Sequence, residues 1–159
     1  MRLPRVWWLL ALLLSHCSHG PRTPQAGEQT PSAEVRARRY TADSREAKRA
    51  GDLDAAFQLA ARALVVRIAH FGPEHPQVAY SFYELAELRR AAGQFAAAEH
   101  TYVRALTLLE PIRQGEPVWV GLIARRLASL LRERGRRAKA SVIERRYPEH
   151  RLRASAPKR

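Results

Sequence analysis

From Ser32 to Arg146 apolar residues return every three or four positions, in runs separated by glycine or proline. That spacing draws one apolar stripe along a helix, and each Gly or Pro break closes one helix and opens the next. The pattern predicts helices over Ser32–Ala50, Asp52–Phe71, Pro76–Ala92, Gln94–Ile112, Val118–Arg134 and Arg136–Arg146. The first carries only a thin stripe of Val35, Tyr40, Ala42 and Ala47, as a degenerate terminal helix would. The second turns Leu53, Ala56, Phe57, Ala60, Ala63, Leu64 and Ile68 inward. Pro76 suits a first helical position, where its missing N–H costs nothing.

The breaks are periodic. Gly51, Gly93 and Gly135 stand 42 residues apart, as do Ala56, Ala98 and Ala140, and Leu85-Ala86-x-Leu88 returns as Leu127-Ala128-x-Leu130. Self-similarity at a fixed period denotes stacked units, each burying its apolar face against its neighbours. The one complete unit, Phe71 to Leu106, has a Gly-Pro-Glu-His-Pro lead-in, a helix, Gly93 and an alanine-rich second helix. Composition agrees: 46% hydrophobic residues, 8 Gly against 10 Pro and no asparagine favour helices over a turn-rich β architecture.

The spacing Ala86, Gly93, Phe95, Ala98, Tyr102, Ala105 resembles that of tetratricopeptide repeats, which place small residues where the two helices of a unit cross. Bulk at Ala86, Ala98 or Ala105 would force the helices apart, while Phe82 and Tyr102 fill the remaining space. The 42-residue period and the Gly72-Pro73-Glu74-His75-Pro76-x-Val78-Ala79 lead-in look like the kinesin-light-chain variety. The resemblance covers about Gly51 to Arg146 and implies an all-α, short right-handed helix-turn-helix solenoid of about three units, acting in protein–protein interaction. In such arrays the first helix of each unit lines a concave groove, in which an extended peptide or a neighbouring helix lies. Carried over by the period, the groove positions are Tyr80, Tyr83, Glu87 and Arg90 in the middle unit, with Leu122, Arg125, Ser129 and Arg132 in the last. Arg38, Arg45 and Lys48 would be added by the first unit. Tyrosines flanked by cations suit an acidic or carboxylate-terminated peptide, since a guanidinium grips a carboxylate through two N–H groups.

Two segments lie outside this pattern. Residues 1–20 read as an export signal: Arg2 and Arg5 precede an apolar run, Val6 to Leu14, too short to span a bilayer. Leu14-Ser15-His16-Cys17 resembles a lipobox that would lipidate Cys17, although His16 departs from the small residue that motif requires; cleavage after Cys17 is the competing reading. Either places the mature chain outside the cytoplasm, periplasmic, secreted or held at a membrane by lipid. Residues 21–34, with three prolines and no large apolar side chain, read as a flexible tether, so the repeat domain is expected over 35–148 and a basic tail over 149–159.

Charge adds a second candidate surface. The net charge is +13, carried by arginine rather than lysine, and Arg125 to Arg159 holds thirteen Lys/Arg against three acids. An arginine skew with no asparagine is also what a GC-rich genome writes. Clustered arginines attract phosphate, in membrane headgroups or in nucleic acid, the latter disfavoured for an exported chain. No catalytic or metal chemistry emerges. His70 and His75 straddle the Gly-Pro loop rather than sharing a helix face, and the glycines are repeat punctuation rather than a phosphate loop. The lone Cys17 allows no intrachain disulfide, and most acids alternate with arginines as solvated surface would. The expectation is a non-enzymatic adaptor with no cofactor, whose few units favour self-association or docking on a larger assembly.

Overall fold

The computed structural model describes residues 32–112 and 117–148. The expected export signal with Cys17, all but the last three residues of the expected tether, residues 113–116 and the expected basic tail lie outside the described residues. Within them the chain forms helices α1 (Ala33–Arg49), α2 (Leu53–Phe71), α3 (Pro76–Ala91), α4 (Phe95–Leu109), α5 (Pro117–Glu133) and α6 (Arg137–Arg146). A single 3-10 turn, Glu110–Ile112, extends α4 where Pro111 ends its ladder. The helices pack as three hairpins, α1–α2, α3–α4 and α5–α6, with α2 against α3 and α4 against α5. This is the all-α helical-repeat array expected from the period. Helix α1 starts at Ala33, because Ser32 caps it by accepting from the Val35 N–H, so Ala33 and Glu34 belong to the helix rather than to the tether.

The repeat is written in the helix ends. At Gly93 the chain turns with φ +72°, the Gly93 N–H donates to Arg90 O and the Gln94 N–H to Arg89 O at 2.8 Å. The same pair of bonds closes α5 around Gly135 and α1 around Gly51. A residue with a Cβ is disfavoured at this φ, so glycine recurs at the position after each first helix. His75 opens α3: its Nδ1 accepts from the Gln77 N–H at 3.2 Å, its ring stacks on Phe71 at 4.4 Å, and Pro76 occupies the first turn.

Packing follows the small-residue rule. Ala86, Ala98, Ala105 and Ala140 are wholly buried, and Phe82 and Tyr102 fill the space beside them. The main core runs through α3 to α6 and contains Val78, Leu109, Ile123, Leu127 and Leu130. A separate, smaller cluster of Ala56, Ala60 and Leu88 joins the first hairpin to α3.

Two expectations for that hairpin are corrected. Helix α1 does not bury Val35 and Ala42; it buries Ala37, Thr41 and Ser44. The hydroxyls tolerate burial because Thr41 Oγ1 donates to Ala37 O and Ser44 Oγ to Ala56 O. In α2, Ile68 lies at the surface, and its neighbour Arg67 is buried instead.

Candidate functional site

Helices α1, α3 and α5 are the first helices of the three hairpins, and side chains tie them to one another across one face. Arg45 on α1 donates from Nη2 to Glu84 Oε1 on α3 at 2.6 Å and also bonds the Tyr80 hydroxyl. Arg126 on α5 lies 3.6 Å from Glu87 on α3. Residues 45 and 84 become 87 and 126 when each is advanced by one 42-residue period, so the same two positions form both bridges with the charges exchanged. A second bridge joins Arg90 to Glu133, whose carboxylate also accepts from Ser129 Oγ at 3.0 Å. Arg132 pairs with Glu144 on α6, and Arg38 with Glu34 on its own helix.

The aromatic residues sit between these bridges. The Tyr80 ring packs on Trp119 of α5 at 4.4 Å and on Tyr83 at 6.1 Å. The guanidinium carbons of Arg45 and Arg67 both lie within cation–π distance of it, at 5.8 and 5.4 Å. Burial pushes the Tyr80 phenol above its ordinary range, helped by the Glu84 carboxylate. The hydrogen bond to Glu84 raises the Arg45 guanidinium further, and the Glu87 carboxylate does the same for Arg126. Buried Tyr102 donates its hydroxyl to Glu87, which thereby serves α3, α4 and α5 at once.

The sequence-derived groove residues fall on this face with different surroundings. Arg45, Tyr80, Glu87, Arg90, Ser129 and Arg132 are brought together as described. Arg125 is exposed, and with Arg132, Ala124, Glu144 and Tyr147 it borders a cleft of about 410 Å³ at the α5–α6 end. Lys48 is half-buried and Arg38 is exposed on α1. Tyr83 is not presented: it is only 9% exposed and belongs to the core, so the aromatic surface is Tyr80 with Trp119 rather than a tyrosine pair. Nor are the cations bare. Glu84 and Glu133, expected as solvated surface, pair with Arg45 and Arg90, and Glu87, itself expected in the groove, pairs with Arg126; the side chains of Glu84 and Glu87 are only 14% and 16% exposed.

The periodic apolar pattern does not single out Arg67. It is 4% exposed, donates to Ser81 Oγ at 2.7 Å and to Thr41 Oγ1 at 3.0 Å, and so joins α2 to α1 and α3. Burial lowers its pKa from the ordinary arginine value. One period later the same three positions hold Tyr83, Leu109 and Ile123, all buried. The polar set Thr41, Arg67, Ser81 therefore fills, between the first and second hairpins, the place an apolar set fills between the second and third. The signal was the period itself, which aligns Arg67 with Leu109.

The tetratricopeptide-repeat family model matches residues 47–110. Among solved structures, the crystal structure of BtubC (BKLC) from P. vanneervenii has the same fold, with a TM-score of 0.67 and 20% sequence identity over 77% of this chain. The match covers 51% of BtubC, so the chain spans about half of that protein's length. No curated protein sequence matches the chain.

Proposed function

We propose, on the premise that residues 47–110 are tetratricopeptide repeats, that this protein is a non-catalytic adaptor whose partner lies along α1, α3 and α5. Repeats of this kind mediate protein–protein interaction. The observation carrying the finer reading is the strip running from Arg45 through Tyr80 and Trp119 to Arg126 and Arg132. It offers a half-buried aromatic pair at its centre and guanidiniums 46–57% exposed at its edges. Aromatic groups supply contact area with few rotors to freeze, and arginines orient carboxylates. An acidic peptide suits the strip because its carboxylates can replace or share those of Glu84, Glu87 and Glu144 on cations already held in place.

Titrating the isotope-labelled protein with a short Asp/Glu-rich peptide tests this by amide chemical shifts. Shifts concentrated on α1, α3 and α5, absent with the Asn/Gln analogue, are the expected result. Shifts confined to α2, α4 and α6, or none at all, would overturn it. Export is proposed from the N-terminal segment alone, and the intact mass of the mature chain isolated from its host checks it: a mass retaining Met1 refutes export with cleavage.

A further inference from the structure

Most cations on the array answer to something within it. Arg45, Arg90, Arg126, Arg132, Arg136 and Arg146 each meet a carboxylate from another segment. Arg104 and Arg134 lie over the rings of Phe82 and Phe95. Helix α6 breaks this habit on one side. Its inner side places Ala140, Ile143 and the following Tyr147 against the core, and its one acid, Glu144, faces Arg132 on α5. Its opposite side leaves Arg137, Ala138, Lys139, Ser141, Val142 and Arg145 exposed. Among the described residues no carboxylate lies within ion-pair distance of Arg137, Lys139 or Arg145. The centre of that side is apolar: Ala138 and Val142 are one helical turn apart, and Val142 is 52% exposed.

We propose that this outer side of α6 is a docking surface for an anionic membrane, seating Ala138 and Val142 among the headgroups while Arg137, Lys139 and Arg145 contact lipid phosphates. Three unanswered cations around a small apolar centre match an interface that is charged at its surface and apolar just beneath it. The chain continues beyond Pro148 with Arg151, Arg153, Lys158 and Arg159 against the single acid Glu149, extending the same sign of charge. A nucleic acid would satisfy the cations but leaves Val142 without a role, which favours lipid. This surface is independent of the α1–α3–α5 strip, so both can be occupied together.

A fluorophore at position 142 reads the contact locally. In the full chain, Cys17→Ser with Val142→Cys leaves one thiol for an environment-sensitive nitrobenzoxadiazole label. Phosphatidylcholine vesicles containing phosphatidylglycerol are expected to shift its emission to the blue, and phosphatidylcholine alone is not. The same label at Val65→Cys, exposed on α2, is expected to stay unchanged. Adding Arg137→Gln, Lys139→Gln and Arg145→Gln should weaken the vesicle response about a hundredfold. Far-UV circular dichroism should be unaltered, because none of the three takes part in packing. An equal response at 65 and 142, no response at 142, or a response that survives the triple substitution overturns the proposal. A stronger response to duplex DNA than to the vesicles also overturns it and identifies nucleic acid as the occupant.

Discussion

Replacing Arg67 separates two roles for a buried cation: holding the first hairpin in place, or filling a gap that a hydrocarbon would fill as well. Taking a guanidinium out of water costs several kcal/mol even after relaxation. Its bonds to Ser81 and Thr41, at 2.7 and 3.0 Å, return about 1.5–3 kcal/mol each. The two nearly offset, so the dominant contribution left is volume. Arg67→Ala removes that volume at a 4% exposed site and is expected to cost about 2–4 kcal/mol, as large-to-small core changes do. Arg67→Met refills the space without charge. It orphans neither hydroxyl, since Thr41 already donates to Ala37 O and Ser81 to Gln77 O. Its stability should lie within about 1 kcal/mol of the parent or exceed it by up to ~2 kcal/mol. Urea unfolding followed by far-UV circular dichroism measures both variants. If Met proves as costly as Ala, the guanidinium's bonds rather than its bulk hold the junction. The parent itself gives a second check. With the main core confined to α3–α6, amides of α1 and α2 should exchange with solvent before those of α3 and α5.

Other perturbations follow from the same geometry. Ala98→Leu, at a wholly buried helix crossing, should destabilise by about 3 kcal/mol or abolish folding, whereas Ala96→Leu two residues away at the surface should change stability by less than about 0.5 kcal/mol; calorimetry compares them. Gly93→Ala meets no atom within 4 Å, yet its φ of +72° is unfavourable for an L residue, so a loss of about 1 kcal/mol is expected in chemical denaturation. Alkaline pH should unfold the protein. Burial raises the phenols of Tyr80, Tyr83 and Tyr102 above their ordinary 10.0, so the native state keeps protons that the unfolded chain releases. The stability this contributes is whole below that ordinary value and declines as pH rises beyond it. Tyrosinate absorbance and circular dichroism should therefore change together, and ionisation of all tyrosines before any loss of helix would contradict the assignment.

Much of the array can be read from the sequence because its causes are local. Glycine recurs where a helix must end at positive φ, alanine where two helices cross, and histidine followed by proline where a helix begins. These needs are met within a few residues of the side chain that serves them, and the 42-residue period copies the glycine and the alanine, though not the histidine–proline pair, along the chain. The face of α1, α3 and α5 could be assigned from the period in the same way. What it presents could not. The bridges Arg45–Glu84 and Arg90–Glu133 span 39 and 43 residues, and whether an arginine on that face stays free depends on which glutamate the next hairpin brings within reach. Tyr83 is aligned with the groove but loses its exposure in the core, where its ring lies 6.4 Å from that of Tyr102 on α4, while Trp119 gains its role by packing on Tyr80. Arg67 shows the limit most directly. The period places it in an apolar register, and only the packing of three helices puts the hydroxyls of Thr41 and Ser81 where they let a cation remain there.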